Sequence, residues 1–206
     1  DFNVSLSLDN EIVNDKRIRE ALPTIEYLIQ HKATVVLVSH LGRPKGEPDS
    51  SFSLSAVAKR LSNLLNKPVL FMDNYLSPNA SSEVAALPQG SVVLCENIRF
   101  HSGEEQNDPQ FAKQLSQLGD LFVNDAFGNA HRAHASTVGV TAYLPSYAGL
   151  LFAREIALIG SAVSKPKRPL VVVIGGGKTP EKIRVIEKLL DIADTIYLGG
   201  AIANTF

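Results

Sequence analysis

Three arginines that follow predicted strands are the residues of this chain best suited to chemistry. Arg43 comes after the apolar run TVVLVS, Arg99 after SVVLC, and Arg132 after LFV. In an open α/β sheet, the carboxyl ends of the strands border the ligand crevice. The guanidinium group keeps its charge and donates paired hydrogen bonds, so it suits phosphate and carboxylate groups. A lone arginine in such a place is usually a solvated surface residue, but three predict convergence on one anion.

Two glycine-rich turns follow the last two predicted strands. In the first, Gly175–Lys178, glycines would let backbone N–H groups approach phosphate oxygens at the start of a helix. The turn matches neither the Walker A loop nor the dinucleotide fingerprint, so a tight turn without a ligand is an equally good interpretation. Lys178 and Lys182 would share one side of the helix, or simply be solvated. Gly199 and Gly200 form the second turn, which serves either packing or a flat ligand.

The other reactive side chains indicate neither a metal centre nor a nucleophile. His131 and His134 are three residues apart, but no cysteine or carboxylate completes a familiar zinc pattern. The neighbouring Glu104 and Glu105 lie in a polar stretch, where we expect them to face water. Cys95 ends an apolar run and is expected to be a buried apolar side chain. We find no general base, and phosphoryl transfer can proceed by positioning and charge neutralisation alone.

Composition narrows the class of protein. The chain has 206 residues, 45% of them apolar, which is enough for a packed core and argues against disorder. Its 20 Lys and Arg nearly balance 21 Asp and Glu, whereas a nucleic-acid binder would usually be basic. The single cysteine excludes an internal disulfide framework and fits a reducing compartment. We see no apolar run long enough to cross a bilayer and no signal peptide.

Strand-like and helix-like segments alternate along the chain. The predicted strands are DFNVSL, TVVLVS, PVLFM, SVVLC, LFVND, PLVVVI and TIYL. Asn14 or Asp15 is expected to cap a helix that Pro23 should kink or break at its start, and Ser53 and Asp108 are expected to cap two more. The alternation predicts an α/β fold, a parallel sheet with helices on both faces in a Rossmann-like three-layer sandwich.

The pattern changes near the middle of the second half. An apolar stretch before SKPKRP predicts one long helix, after which a second βα series begins. We expect an N-terminal anion-binding α/β domain over residues 1–148, an interdomain helix and junction over 149–167, and the truncated start of a second α/β domain over 168–206. Because the chain opens at Asp1 in a strand-like stretch and stops at Phe206 after an apparent helix start, we interpret it as a piece of a longer protein.

Seven stretches, in order through the whole chain, resemble phosphoglycerate kinase. They are DFNV, RIREALPTI, SHLGRPKG, ENIRFHSGEE, VNDAFGNAHRAHASTVGV, GGGKTPEKI and GGAIANTF. No single stretch is diagnostic, but the combination is highly specific. The resemblance implies a first domain that binds 3-phosphoglycerate and the beginning of a second that binds nucleotide. It also implies that the second half of the family's chain, and the segment before Asp1, are absent here.

The resemblance implies a reaction and a set of site residues. The reaction is the reversible glycolytic transfer of a phosphoryl group from 1,3-bisphosphoglycerate to ADP, which gives 3-phosphoglycerate and ATP. Arg17 matches the arginine that neutralises the transferring phosphoryl group, and Lys178 matches a lysine beside it. The implied substrate contacts are Asp1, Phe2, Asn3, Arg17, His40, Leu41, Gly42, Arg43, Arg99 and Arg132. The implied nucleotide contacts are Gly176, Gly177, Lys178, Lys182, Gly199 and Gly200.

The resemblance also sets expectations for cofactors and partners. ATP or ADP would bind with Mg²⁺, whose ligands would lie outside these residues, so no metal ligand is assigned. We expect a cytoplasmic monomer that binds small molecules, neither nucleic acid nor membrane, and a bare fragment with little or no turnover. GGGKTPEK replaces the more usual GGAKVSDK, and Ala201 stands where a third glycine is common, so nucleotide preference stays open. The alternatives are a non-catalytic phosphate-binding domain and an unrelated α/β domain with scattered arginines.

Overall fold

Three parallel strands form the main sheet of the first part of the chain. They are Val35–Leu37 (β1), Val69–Met72 (β2) and Val92–Cys95 (β3), in the order β1-β3-β2. All four residues of β3 are buried, as expected for a central strand covered on both faces. The structure is a computed structural model that describes residues 1–7, 9, 11–177 and 180–205.

Helices cover both faces of this sheet. Lys16–Gln30 (α1) and Ser55–Leu65 (α2) pack on one face, where their apolar residues share a core with Val92 and Leu94. The next strand residue, Cys95, belongs to a second core with Pro109–Ser116 (α5), which follows the short helices Ala80–Ala85 (α3) and Ser102–Glu105 (α4). Successive strand side chains point to opposite faces, so β3 divides the two cores. The predicted three-layer α/β sandwich is confirmed.

Two smaller parallel sheets complete the described strands. Phe122–Asn124 (β4) pairs with Ser146–Ala148 (β5), an exposed strand of three residues that no apolar pattern predicts. Val171–Ile174 (β6) pairs with Thr195–Leu198 (β7). The remaining helices are Leu150–Ser164 (α6) and Pro180–Leu190 (α7), followed by a 3₁₀ helix at Gly200–Thr205. The chain divides into two compact units, Asp1–Ala153 and Arg154–Phe206.

Of the predicted helix caps, Asp108 is confirmed, whereas the cap positions of α1 and α2 are Asp15 and Leu54, and neither makes a capping side-chain hydrogen bond. Asp108 caps α5, because its carboxylate accepts a hydrogen bond of 2.7 Å from the N–H of Phe111. Asn14 accepts one of 2.9 Å from the N–H of Lys16, the first residue of α1. Such hydrogen bonds satisfy backbone donors that have no partner inside the helix. The Ser53 hydroxyl likewise accepts from an N–H of the first turn of α2, at 3.2 Å.

One prediction about the N-terminal region is wrong, and a second is wrong in part. Among the described residues, DFNVSL forms no strand and makes one antiparallel bridge, between Leu6 and Ile12. Phe2 is buried, as it would be in a strand with alternating apolar residues. Its N–H, however, donates to the Ser39 hydroxyl at 2.7 Å instead of to a neighbouring strand. Pro23 does not break α1, which is continuous from Lys16 to Gln30, and the kink stays a prediction. Burial of Ile18 and neighbouring apolar residues outweighs the one backbone hydrogen bond that a proline removes.

Two further expectations concern the burial of Cys95 and the presence of a membrane-spanning helix. Cys95 is fully buried in β3, as predicted, and burial raises the pKa of its thiol to about 12. Within the part of the chain that the structure describes, none of the helices combines the length and the apolar character that a membrane span requires.

Candidate functional site

His40 lies at the centre of the residues that the sequence singles out. It follows β1 and leaves only 12% of its side chain exposed. Burial, together with the positive charges of Arg99, the Asp1 amino group, Arg132 and Arg17, lowers the pKa of its imidazole to about 3. The ring is therefore neutral near pH 7. Because three guanidinium groups act on the same ring, the structure brings together arginines that are far apart in sequence.

Arg99 is the most deeply placed of these cations. Only 5% of its side chain is exposed, and its Nη1 donates to the Gly42 carbonyl at 3.0 Å. Its Nε lies 3.3 Å from Oε1 of Glu105, close enough for an ion pair but not aligned for a hydrogen bond. Burial lowers the pKa of Arg99, and the nearby charges of Arg132 and Arg43 act in the same direction. Arg43 thus belongs to the same cluster, although its own side chain is exposed.

Arg17 reaches the cluster from the first turn of α1. Its Nη1 donates a hydrogen bond to Asp1, while 55% of the Arg17 side chain is exposed. Oδ1 of Asp1 lies 3.7 Å from Nδ1 of His40 and accepts a hydrogen bond from the N–H of Asn3 at 3.1 Å. The Asp1 carboxylate therefore connects the helix, the imidazole and the first residues of the chain. Of the arginines in the cluster, Arg17 and Arg43 are the most open to solvent.

The loop after β1 is held to its surroundings by backbone contacts. The N–H of Gly42 donates to Oδ1 of Asn3 at 3.0 Å, and its carbonyl accepts from Arg99. Phe2 and Leu41, by contrast, are 3% and 2% exposed and belong to the core. The side chains of Phe2 and Leu41 are therefore not exposed to a ligand.

Sequence reasoning missed two polar residues beside this loop, the buried Asn97 that holds it and the partly buried Glu96 that holds the start of α2. The side chain of Asn97 is fully buried, and its amide donates to the carbonyls of Leu41, at 2.7 Å, and Phe52, at 2.9 Å. Its Oδ1 accepts from the N–H of Arg99 at 3.1 Å. Glu96, one residue earlier, accepts from the N–H of Leu54 at 2.8 Å. The signal was available, since a polar pair directly after a buried strand stands at the carboxyl end of the sheet.

The expectation that Glu104 faces water is wrong. Glu104 is 3% exposed, whereas the Glu105 side chain is 49% exposed. The reason is the close packing of α4 against α5, where a Cβ on Gly103 would lie 2.9 Å from the Cβ of Phe111. Such a distance is too short for any side chain, so the glycine lets α4 approach and turns Glu104 inward. There Glu104 bonds Ser136, with Oε1 at 2.7 Å from the hydroxyl.

The glycine turns of the second unit also come together. Gly200 has φ +68°, and a Cβ on it would lie 3.1 Å from the nitrogen of Gly176. The N–H of Ile202 donates to the Gly176 carbonyl at 3.1 Å, and Nζ of Lys182 donates to the Gly175 carbonyl at 3.1 Å. The two predicted turns, which include Gly177 and Gly199, thus pack against each other and form one continuous backbone surface, called the wall below. Lys178 lies outside the described residues.

The described residues include no cluster of three or more His, Cys, Asp or Glu side chains arranged to hold a metal ion. His134, one of the pair tested by sequence, instead has Nδ1 3.3 Å from Oε1 of Glu104. The arrangement in the first unit is therefore one of guanidinium groups and a neutral imidazole, which suits an anion with several oxygens.

Comparisons with known proteins give a consistent answer. A sequence model of the family described as phosphoglycerate kinase matches residues 1–206. The phosphoglycerate kinases of Akkermansia muciniphila and Desulforudis audaxviator are 54% and 52% identical to the chain, which they match over its whole length. The chain covers 51% and 52% of these two proteins, about half the length of the curated relatives it matches.

Solved structures agree with the sequence comparison. The structure of phosphoglycerate kinase from Coxiella burnetii superposes with a TM-score of 0.83 at 44% identity, covering 99% of this chain and 51% of that one. The crystal structure of phosphoglycerate kinase from Pyrococcus horikoshii gives a TM-score of 0.86 at 32% identity, covering 98% of this chain and 52% of the other.

Proposed function

Since the chain belongs to the phosphoglycerate kinase family, we propose that the protein transfers a phosphoryl group from 1,3-bisphosphoglycerate to ADP, reversibly, giving 3-phosphoglycerate and ATP. The observation that carries the proposal is a set of contacts around one buried histidine. Asp1 joins Arg17 to His40, and Gly42 joins Arg99 to Asn3. Arg132 is near enough for its charge to act on the pKa of the same histidine. An α/β domain with scattered surface arginines would not have this arrangement. The chain spans about half of its relatives, so the proposal concerns the protein to which these residues belong.

The first unit would bind the triose acid. Its proposed substrate contacts are Asp1, Phe2, Asn3, Arg17, His40, Leu41, Gly42, Arg43, Arg99 and Arg132. A transferring phosphoryl group spreads negative charge over its equatorial oxygens, and preorganised cations stabilise that charge. Arg17 suits this role because it is anchored by Asp1 yet open to solvent. His40 is neutral, so it contributes a hydrogen bond without another positive charge to repel the arginines.

The second unit would bind the nucleotide. The proposed contacts are Gly176, Gly177, Lys178, Lys182, Gly199 and Gly200. Support comes from the close approach of Gly176 and Gly200, which leaves a wall of backbone without side chains. Lys182 reaches this wall through its bond to the Gly175 carbonyl. We propose that Mg²⁺ accompanies ATP or ADP, and that its ligands lie outside residues 1–206.

The remaining expectations are part of the same proposal. Residues 1–148 form the 3-phosphoglycerate domain, 149–167 the interdomain helix and junction, and 168–206 the start of the nucleotide domain. The protein is a cytoplasmic monomer whose partners are its small-molecule substrates, with neither nucleic acid nor membrane among them. The 206-residue chain alone carries only part of the nucleotide site, so it turns over little or nothing. It also binds 3-phosphoglycerate only weakly.

Titration calorimetry of the 206-residue chain with 3-phosphoglycerate tests the substrate site. We expect Arg43→Ala and Arg132→Ala each to weaken binding by about tenfold or more, because each removes charge-assisted hydrogen bonds. The matched control is Arg184→Ala, which removes an exposed arginine of α7. Equal affinities of all three variants and the unmodified chain would contradict the proposal. Binding without ATP formation in the full-length protein would instead indicate a non-catalytic phosphate-binding domain.

A further inference from the structure

The short helix α4 connects two of the segments that carry the site arginines. Its last two residues are both glutamates, and they point to different partners. Oε1 of Glu105 lies 3.3 Å from Nε of Arg99. Glu104 turns the other way, towards the segment that follows Arg132. One turn of helix thus lies between the two guanidinium-bearing segments.

Glu104 holds the segment after Arg132 at several points. Its Oε2 accepts from the N–H of Ser136 at 2.9 Å, and its Oε1 from the Ser136 hydroxyl at 2.7 Å. Nδ1 of His134 lies 3.3 Å from the same Oε1. The backbone carbonyl of Glu104 also accepts from the N–H of Ala135, at 2.9 Å. Three successive residues are therefore bound to a single buried glutamate.

Those residues in turn hold Arg132. The Thr137 hydroxyl donates to the Arg132 carbonyl at 2.6 Å, and the N–H of His134 donates to the same oxygen at 3.1 Å. The N–H of Arg132 donates to the carbonyl of Asn129 at 3.0 Å. The Glu104 carboxylate thus reaches the backbone of Arg132 through its hydrogen bonds to Ser136, the peptide bond from Ser136 to Thr137, and the hydrogen bond from the Thr137 hydroxyl. Ala135, in the same segment, is fully buried.

A buried carboxylate is costly unless it is hydrogen-bonded, and here both oxygens have partners. A well-packed apolar residue would fill the same space without that cost, so stability alone does not explain a glutamate here. A carboxylate can also fix the position of Ser136, because its two oxygens accept hydrogen bonds from both the N–H and the hydroxyl of that residue. We propose that Glu104 is a positioning residue that sets the place of Arg132 relative to Arg99. This inference rests on the proposed binding of 3-phosphoglycerate.

Amide hydrogen exchange of the ligand-free 206-residue chain tests whether Glu104 holds the segment. In Glu104→Gln, the amide keeps the shape of the carboxylate but loses its charge. We expect exchange at residues 134–137 to become about tenfold faster, since a hydrogen bond to a charged group is stronger than one to a neutral group. Glu83→Gln, which changes an exposed glutamate of α3, should leave these rates unchanged. Unchanged exchange in Glu104→Gln would overturn the inference, whether or not the chain binds 3-phosphoglycerate.

A double-mutant cycle tests whether the effect reaches the ligand through Arg132. Glu104→Gln should weaken 3-phosphoglycerate binding by about fivefold to tenfold, and Ser136→Ala by less. In a chain that already carries Arg132→Ala, Glu104→Gln should reduce the affinity for 3-phosphoglycerate by no more than about a further twofold, because the side chain through which Glu104 acts is already absent. A merely structural role predicts that the two losses multiply, and that result would overturn the inference. Failure of the unmodified chain to bind would count against the proposed function, while the exchange rates still decide the role of Glu104.

Discussion

The two candidate sites of the chain are built by opposite means. In the first unit, long charged side chains are held by buried polar residues, such as Asn97 beneath Arg99. In the second, two backbone turns meet because Gly200 has no side chain, and the partly buried Lys182 reaches them. The first site therefore depends on residues that touch no ligand, whereas the second depends on the absence of side chains. The same substitution, to alanine, should damage them for different physical reasons.

Asn97→Ala should have the largest effect on stability. It leaves the carbonyls of Leu41 and Phe52 and the N–H of Arg99 without their partner in a fully buried place. At about 1 kcal/mol for each lost bond, the free energy of unfolding should fall by about 3 kcal/mol. Urea denaturation measures it, with the exposed Asn63→Ala on α2 as the matched control, expected within about 0.5 kcal/mol of the unmodified chain. A loss for Asn97→Ala no larger than the control's would remove the contrast between the two sites.

Lowering the pH should destabilise the first unit through His40. The pKa of this imidazole is about 3 in the folded chain and 6.5 when exposed, so the unfolded state binds more protons between these values. The free energy of unfolding therefore falls as pH drops below 6.5, by about 1.5 kcal/mol on reaching about pH 5. His40→Gln should abolish this dependence of the free energy of unfolding on pH, whereas His31→Gln, at an exposed position, should leave it in place. An equal slope in unmodified and His40→Gln chains would show that the ring is not protected from protonation.

Gly200→Ala should have a smaller effect than Asn97→Ala, and its effect should be confined to the second unit. At φ +68°, a side chain costs about 1–2 kcal/mol, and the new Cβ would also press on the backbone of Gly176. Gly160→Ala is the matched control, because Gly160 lies inside α6 with no atom within 4 Å of its Cβ position. There alanine should raise stability by about 0.5–1 kcal/mol. Effects of the same sign in both variants, in thermal unfolding followed by circular dichroism, would argue against the turn-to-turn contact.

The sequence predicts the arginine cluster better than it predicts what supports it. Each of Arg99 and Arg132 follows a predicted parallel strand, and this pattern alone predicts that they lie near each other. The structure places the two preceding strands, β3 and β4, in separate sheets, so the single sheet edge behind that prediction is not what the chain forms. The place of Glu104 could not be predicted, because its burial depends on the distance between α4 and α5, which Gly103 sets in three dimensions. Local polarity suggested a solvated loop instead.

The fold shows the same limit. The strands of the main sheet have strong apolar patterns, and these were predicted within a few residues. β5 has three exposed residues, so its pairing with β4 leaves no trace in local hydrophobicity. The first residues of the chain alternate as a strand does, but they are anchored by the Ser39 hydroxyl. Alternation of apolar and polar residues predicts which side chains are buried. It does not predict which group will form a hydrogen bond with the backbone, because that group belongs to a distant part of the chain.

The central claim is that Arg17, Arg99 and Arg132 form one anion site around His40. The most direct measurement is an NMR titration of the 206-residue chain with 3-phosphoglycerate, following the arginine Nε–H signals and the His40 ring. The account predicts that all four residues shift together with a single dissociation constant, while the Nε–H of Arg184 does not move. Signals that shift with different constants, or a ligand that moves only one arginine, would contradict it.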